Sequence, residues 1–399
     1  MKEPKIRFKG FRGEWEKKKL GAMTSVRGGY AFQSSLFQKS GIPVVRISNI
    51  LSNGNVGGDF VYYPRLDGDT NITIHEKDVV IAMSGATTGK IARVDVGDGI
   101  LYQNQRVGLF TKTGKVDYDF LYTVLNRPHF NELLNKLLTS SAQPNASSAD
   151  IESIEMEFPE DAEEQKALSN YILSLDSLIQ STTKKIESLK QVKTASLQSM
   201  FPQEGETTPR VRFKGFEGEW EETLLGTIFS ERCEYRPNAE MLSVTMNQGV
   251  IKASDNGRFD NSNSDKSKYK LVKVDDIAYN SMRMWQGACG CSKYEGIVSP
   301  AYTVIVPKED ICPSFFSYMF KTNGMLKVFR LNSQGLTSDT WNLKYPAFSK
   351  LSIIYPKVIA EQRAIASYFT TLDRQISLQT QRLEKLKQIK AACLDNMFV

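Results

Sequence analysis

The sequence predicts a mixed α/β (α+β) protein with two globular domains of internally repeated origin, each followed by a long helix. Three observations predict this class. The segment Pro4–Gly21 returns as Pro209–Gly226, and a long helical stretch that opens at Glu164 returns with Glu361 at its opening. Short apolar runs separated by Gly, Asn and Asp precede each helix, as expected of strands and turns.

The length and composition indicate a folded protein of two or more domains. The chain has 399 residues, of which 41% are hydrophobic and 24% are charged. No apolar run approaches the roughly 20 residues that a membrane span needs, and the first residues lack the apolar core of a secretory signal. We therefore expect a cytoplasmic protein without membrane contact.

Cysteine, histidine and charge counts narrow the function classes. The five cysteines show no framework spacing, which is typical of free thiols in a reducing compartment. With only His75 and His129 as histidine ligands, we predict no metal site. The net charge of +6 permits a nucleic-acid partner without demanding one.

The two long helices share a seam of residues spaced alternately by four and three, which is typical of a coiled coil. The predicted interhelix seam residues are Leu168, Ile172, Leu175, Ile179, Ile186 and Leu189 in the first helix, and Ile365, Phe369, Leu372, Ile376, Leu383 and Leu386 in the second. Lys193 and Lys390 occupy equivalent core positions and interrupt both seams. Each helix has an obvious partner in the other.

These landmarks divide the chain into four segments: a first globular domain at 1–162, a central helix at 163–201, a second globular domain at 202–358 and a C-terminal helix at 359–399. Within the first domain we predict five strands, a helix and a polar loop, namely Ile42–Ile47, Phe60–Tyr63, Asp78–Met83, Ile91–Val96, Arg106–Phe110, the helix Tyr118–Leu138 and the loop Thr139–Asp150. The second domain repeats this order with a strand at Val272–Asn280 and a helix at Ser314–Phe329.

The motifs of common catalysts are missing from the sequence. Ser84–Lys90 (SGATTGK) resembles a P-loop, but its glycines are one residue too close and Lys90 is not followed by Ser or Thr. No Gly-rich dinucleotide or S-adenosylmethionine fingerprint follows a strand, and no nucleophile elbow is present. We expect the chain to perform no chemistry and to bind no cofactor itself.

Side chains suited to base edges cluster at equivalent places in the two copies. Arginine can pair with guanine, and asparagine or glutamine with adenine, because their donors and acceptors match those edges. The candidate DNA-binding residues are Arg46, Asn49, Ser84, Thr87, Thr88, Lys90, Asn104, Gln105 and Arg106 in the first copy, and Arg283, Trp285, Gln286, Ser292, Lys293, Ser299 and Tyr302 in the second. Each alone is better explained as a solvated or structural polar residue, but the clustering at equivalent places in both copies favours a function.

Several motifs together resemble the DNA-specificity subunit of type I restriction-modification systems. They are the RFKGF…W opening of each copy, the EQ start of each long helix, and the LKQ…MF and LKQ…NMF ends. The resemblance covers essentially the whole chain. It implies that the globular domains are target-recognition domains, and that the two helices are spacers that pair as an antiparallel coiled coil.

The resemblance also implies partners. Double-stranded DNA would be read at two half-sites, one by each domain. Two methyltransferase subunits would bind S-adenosylmethionine and modify adenine, and restriction subunits would use ATP and Mg²⁺ to translocate and cleave DNA. A methylation-only system is the nearest alternative. A coiled-coil adaptor that binds proteins without reading DNA, or an enzyme with its own methylation or nuclease activity, are the rivals from other classes.

Overall fold

A computed structural model describes residues 3–141, 145–256 and 265–399. The chain forms two compact units: unit 1 comprises Met1–Thr182 and Arg382–Val399, and unit 2 comprises Thr183–Gln381. Strands and helices mix in both units, so the predicted fold class is confirmed. Each long helix lies partly in unit 1 and partly in unit 2, so the units cut across the four predicted segments. Among the described residues, no helix is both long enough and apolar enough to cross a membrane.

Unit 1 begins with a strand-rich domain. Its elements are β1 (Glu16–Lys19), α1 (Leu20–Met23), β2 (Val26–Arg27), β3 (Ile42–Val45), β4 (Val61–Tyr63), β5 (Thr73–Ile74), β6 (Val79–Ala82), β7 (Ile91–Arg93), β8 (Leu101–Gln103), β9 (Val107–Phe110), α2 (Tyr118–Leu125), α3 (Pro128–Ser141), α4 (Ser148–Ser153) and β10 (Glu155–Phe158), followed by α5 (Ala162–Ser199). Two four-stranded sheets have the orders β2-β9-β6-β7 and β4-β3-β8-β5, and β1 pairs with β10.

Unit 2 repeats the first of these sheets. Its elements are β11 (Glu221–Leu224), α6 (Leu225–Ile228), β12 (Phe229–Glu231), β13 (Leu242–Thr245), β14 (Gly249–Lys252), β15 (Lys270–Val272), β16 (Ile277–Asn280), β17 (Cys289–Cys291), β18 (Gly296–Val298), β19 (Tyr302–Pro307), α7 (Pro313–Met319), α8 (Asn323–Asn332), α9 (Tyr345–Phe348), β20 (Ser352–Tyr355) and α10 (Ile359–Asn396). The order β12-β19-β16-β17 corresponds to β2-β9-β6-β7, and β11 pairs with β20 as β1 does with β10.

Two predicted helices are interrupted. The single helix predicted for Tyr118–Leu138 is wrong, because α3 opens with Pro128, whose ring disfavours a helical conformation at the residue before it. The helix predicted for Ser314–Phe329 also divides into α7 and α8, and Thr322 caps α8 by accepting a hydrogen bond from Met325 N. The predicted loop Thr139–Asp150 is too long, because α3 runs to Ser141 and α4 begins at Ser148, and its residues 142–144 lie outside the described residues.

The strand predicted for Val272–Asn280 is wrong for a local reason. A turn separates β15 from β16, and within it Asp275 has a φ of 69°. Asp276 then accepts a hydrogen bond from Lys273 N at 2.7 Å, which closes the turn. Its counterpart Asp78 accepts from His75 N at 2.9 Å, so the two copies share this turn.

Each unit has a core of aromatic rings around the opening tryptophan. In unit 1, Trp15 and Phe120 lie against Phe398, with ring centroids 6.0 and 5.9 Å away. In unit 2, Trp220 and Phe369 lie against Phe201 at 6.2 and 5.9 Å. The phenylalanine that follows each long helix therefore completes the core of one unit.

A charged network holds the start of each long helix to the opening segment. In unit 1, Arg7 donates from Nε and Nη2 to the two carboxylate oxygens of Glu164, at 2.6 and 2.7 Å. In unit 2, Arg212 donates in the same way to Glu361, at 2.7 and 2.8 Å. These bonds raise the pKa of both arginines. The repeated RFKGF and EQ motifs are thus two halves of one contact.

The glutamine of each EQ pair has a matching structural role. Gln165 accepts from Asp117 N and donates to Pro159 O, both at 2.8 Å. Gln362 accepts from Cys312 N and donates to Pro356 O, again at 2.8 Å. Each amide therefore joins the preceding strand to the helical segment that opens at residue 118 or 313.

All of the predicted seam residues of the long helices are buried or half-buried. Buried seam residues are Leu168, Ile172, Leu175, Ile186, Ile365, Phe369 and Leu372. Half-buried ones are Ile179, Leu189, Ile376, Leu383 and Leu386. Within unit 2, Lys193 bonds Asp373 at 2.5 Å, and Ser196 bonds Tyr368 at 2.9 Å, so the helix segments run antiparallel.

Within unit 1, Lys390 makes the corresponding ion pair with Asp176, also at 2.5 Å. The two lysines that interrupt the seam are therefore each paired with an aspartate on the facing helix segment. Both pairs are partly exposed to solvent.

Candidate nucleic-acid interface

The polar candidates of unit 1 meet where four strands begin or end. Arg46 follows β3 and Asn104 follows β8, and Asn104 N donates to Val45 O at 3.1 Å. Ser84 lies just beyond β6 and Arg106 just before β9, and Met83 N donates to Arg106 O at 2.9 Å. We name this the unit 1 edge: residues 46–49, 84–90 and 104–106. The sheets therefore bring together groups up to 60 positions apart.

The short helical turns at 47–49 and 85–87 pack against each other within the unit 1 edge. A β-carbon at Gly85 would lie 3.4 Å from Ile47 Cδ1, and Gly85 has a φ of 74° that favours glycine. Arg46 Nε, Ser84 Oγ and Thr87 Oγ1 are buried atoms without a hydrogen-bond partner among the described residues. Buried polar atoms are usually paired, so this cluster lacks its expected partners.

The exposed groups of the unit 1 edge are few. Gln105 and Arg106 are exposed, and neither side chain has an ion pair or hydrogen bond within the described part of the chain. Asn104 is half-buried, and its Oδ1 accepts from Arg106 N at 3.3 Å. Gln105 and Arg106 therefore offer an amide and a guanidinium to a ligand.

Other candidates at this edge have partners inside the protein. Thr88 Oγ1 donates to Gly85 O at 2.7 Å, and Lys90 Nζ donates to Ser52 Oγ at 3.0 Å. The Lys90 bond is exposed, so the ammonium remains accessible to a ligand.

Asn49 is a correction to the predicted contact residues. Its side chain is 0% exposed. Its Oδ1 accepts from Arg46 N, and its Nδ2 donates to Gly57 O and Asp59 O, all at 3.0 Å. With these groups occupied and buried, Asn49 has nothing to present to a base edge. It fixes the loop that carries Arg46.

In unit 2, two turns meet at the corresponding edge of the sheet. Arg283–Gln286 follow β16, while Ser299 and its neighbours connect β18 to β19. The turns are adjacent because Asn280 pairs with Tyr302 in the sheet and Ser281 N donates to Ala301 O at 3.2 Å. We name this the unit 2 edge: residues 281–287 and 299–302.

Arg283 is the exposed cation of the unit 2 edge. Its backbone closes the turn: N donates to Asn280 O at 2.9 Å, and O accepts from Gln286 N at 3.0 Å. Its guanidinium has no ion pair with any described residue. Trp285 is half-buried and donates from Nε1 to Met282 O at 3.1 Å, so its ring has a fixed orientation.

Ser292 and Lys293 lie at the opposite end of the β16–β17 hairpin, which corrects their assignment to this site. Ser292 N donates to Asp276 O at 2.8 Å, beside the start of β16. Its hydroxyl donates to Tyr294 O at 2.8 Å, and the residue is fully buried. Antiparallel strands place residues after β17 next to residues before β16, away from the turn.

Two aromatic residues were missed by the sequence reasoning. Tyr30 is exposed beside Gln105, whose N donates to Tyr30 O at 2.9 Å. Trp341 packs edge-on against Trp285, with ring centroids 5.2 Å apart. Both contacts join segments distant in sequence, and only a Gly-Gly pair before Tyr30 hinted at an unusual backbone there.

A family model described as "Type I restriction modification DNA specificity domain" matches residues 12–191 and 217–388. The chain belongs to this family. The repeated motifs predicted membership of the type I specificity family, and this prediction is confirmed. The two matched regions cover both copies of the repeat.

The chain is also similar to a named relative and to solved structures. The chain is 29% identical over 189 residues to the type I restriction enzyme MjaVIII specificity subunit of Methanocaldococcus jannaschii, covering 45% of this chain and 44% of that relative. The crystal structure of the type I restriction-modification S subunit from M. genitalium is similar in fold, with a TM-score of 0.60 and 15% identity over 100% of this chain and 99% of that one. An HsdS subunit from Thermoanaerobacter tengcongensis matches over 96% of both chains, with a TM-score of 0.43 and 15% identity.

Proposed function

We propose that this chain is the non-catalytic, sequence-specific DNA-binding subunit of a type I restriction-modification complex. Each unit reads one half of a bipartite, asymmetric target in double-stranded DNA. One observation carries this proposal. Each unit has an equivalent four-stranded sheet, and the corresponding edge of each sheet presents an exposed arginine: Arg106 before β9 in unit 1 and Arg283 after β16 in unit 2.

The chemistry of the two edges suits different base sequences. Arginine pairs with the O6 and N7 acceptors of guanine, and glutamine pairs with the N6 and N7 groups of adenine. Unit 1 presents Gln105 beside Arg106, whereas unit 2 presents Gln286 and Trp285 in the turn of Arg283. Because the two units share the same sheet but present different side chains, we expect them to read two different half-sites.

The proposal assigns catalysis to partners. Two methyltransferase subunits hold S-adenosylmethionine and modify adenine, and restriction subunits use ATP and Mg²⁺ to cleave. The name of the M. jannaschii relative, a specificity subunit of a restriction enzyme, supports this division of labour. The complex acts in the cytoplasm, where its DNA substrate is found.

The test is methylome sequencing of cells that express the chain with its methyltransferase. Arg106→Ala and Arg283→Ala should each weaken specific binding by about 1–3 kcal/mol and relax one half-site only. Lys293→Ala is the matched control, since Lys293 is an exposed cation at the far end of the same hairpin. It should leave the methylated motif unchanged.

A second measurement addresses the rival classes. The purified complex should bind its own target in the presence of excess random DNA. Equal binding to target and random DNA would overturn the proposal and leave a protein-interaction adaptor as the better explanation. Methylation by the chain alone, without a partner, would show that it is itself an enzyme.

A further inference from the structure

Tyr30 is an exposed aromatic residue whose backbone is fixed to the unit 1 edge on both sides. Tyr30 N donates to Gln103 O at 2.8 Å, and Tyr30 O accepts from Gln105 N at 2.9 Å. These two bonds form a parallel β-bridge between Tyr30 and Asn104. Tyr30 is therefore held directly beside the turn that carries Gln105 and Arg106.

The residue before Tyr30 allows this close approach. A β-carbon at Gly29 would lie 2.2 Å from the carbonyl oxygen of Asn104 and 2.5 Å from that of Gln103. Side chains cannot be accommodated at such distances, so only glycine lets the two backbones meet here. The position of Tyr30 is thus set by the backbone and does not depend on its ring.

The ring of Tyr30 rests on other aromatic rings. Phe32 packs edge-on against it, with centroids 5.0 Å apart. Phe32 in turn contacts Tyr63 at 4.7 Å and stacks on Tyr102 at 5.7 Å, and both of these tyrosines are buried. Although so supported, Tyr30 remains 43% exposed. A rigid, amphipathic ring loses little conformational entropy when it contacts a ligand.

We propose that Tyr30 is a further specificity-determining residue, whose ring makes an apolar contact with a base edge in the half-site read by unit 1. The inference rests on the proposed DNA-reading function. Apolar side chains recognise base edges such as the thymine methyl group, and the neighbouring amide of Gln105 is suited to the adjacent hydrogen-bonding groups. Tyr30, Gln105 and Arg106 then form one continuous reading surface.

The experiment measures binding of the complex with its methyltransferase to two duplexes, the full target and one altered only in the unit 1 half-site. Arg106→Ala identifies which half-site that is. Tyr30→Ala should weaken binding to the full target about tenfold and change binding to the altered duplex less than about twofold, as expected for one lost base contact. Tyr30→Phe keeps the ring and should bind like the unmodified protein.

Tyr235→Ala is the matched control, because Tyr235 is a tyrosine of unit 2 that is 56% exposed. It should leave discrimination at the unit 1 half-site intact. Circular dichroism checks that each variant is folded. If the unmodified protein fails to prefer its target, the proposed function itself fails. If it does prefer its target and Tyr30→Ala binds equally well, or Tyr30→Phe loses as much as Tyr30→Ala, only the assignment of Tyr30 is overturned.

Discussion

Arg7 and Glu164 form a two-bond ion pair that ties the opening segment to the first turn of α5, across 157 positions of sequence. Glu164 is almost fully buried, with 2% of its side chain exposed. A buried carboxylate without its cation costs far more than a surface one. The repeated RFKGF motif therefore matters to stability first.

Removing this cation should destabilise unit 1. We expect Arg7→Ala to lower the free energy of unfolding of unit 1 by about 3 kcal/mol, because Glu164 is left buried and unpaired. Urea unfolding followed by hydrogen exchange resolves the two units. Arg65→Ala is the control, since Arg65 is largely exposed in its pair with Asp69 and should cost under about 0.5 kcal/mol. Equal effects of the two substitutions would contradict the assignment.

Exchanging the charges of the two seam ion pairs should show that each pair stabilises its unit. Lys193→Glu places two like charges together in unit 2, and we expect a loss of about 1 kcal/mol in unfolding free energy. The double variant Lys193→Glu with Asp373→Lys should recover most of it, as a double-mutant cycle measures. The same exchange at Lys390 and Asp176 repeats the test in unit 1. Failure of the double variants to recover would show that the pairs do not couple.

Substitution by alanine should affect mainly stability at Asn49 and mainly DNA specificity at Gln105. Asn49→Ala leaves Arg46 N and Gly57 O without partners and removes one of the two donors to Asp59 O, so we expect the free energy of unfolding to fall by about 1–3 kcal/mol. Gln105→Ala should change stability by less than about 0.5 kcal/mol but relax the unit 1 half-site in methylome sequencing. If Asn49→Ala were fully stable and altered only the motif, Asn49 would be a contact residue after all.

Two thiols of unit 2, the buried Cys289 and the half-buried Cys291, predict a loss of stability in alkali. Burial raises the pKa of Cys289 from 9.0 to about 11 and that of Cys291 to about 12. As pH rises, these thiols lose their protons in the unfolded chain before they do so in the folded chain. Their contribution to the free energy of unfolding is therefore fully present below about pH 9 and declines as pH rises towards 11. Thermal unfolding between pH 8 and pH 10.5 measures the slope.

Cys289→Ala is the variant that checks this slope, because it removes the thiol with a small change in side-chain volume at this buried position. Its stability should fall less steeply with pH than that of the unmodified chain. At pH 8, the exposed Cys233 should react with a thiol reagent well before the buried Cys289. An equal slope in the variant would mean that other groups control the alkaline loss.

The long helices and the duplication were predictable because both signals lie in local sequence: a seam repeats every three or four residues, and the copies align by simple displacement. The helix Tyr118–Leu138 failed for an equally local reason, the proline at 128. The sequence also indicated that Arg106 and Arg283 lie beside strand ends, since Gly, Asn and Asp mark the turns between strands.

The rest of the site depended on which distant segments meet. Asn49 and Ser292 are polar residue types that suit a base edge, but burial and internal partners are not visible in residue type. Tyr30 was missed because its pairing with Asn104 spans 74 positions and leaves no local pattern. The Arg7–Glu164 pair has the same origin: each motif looked like a signature, and only the fold joined them.

The placement of Phe398 has a consequence for synthesis. The core of unit 1 contains a ring that is translated long after Thr182, with all of unit 2 in between. At ordinary translation rates of about 5–20 residues per second, those roughly 200 residues take on the order of 10–40 s. The sequence of unit 2 is therefore complete before that of unit 1, and Trp15 gains its contact with Phe398 only when the last residues of unit 1 have been translated.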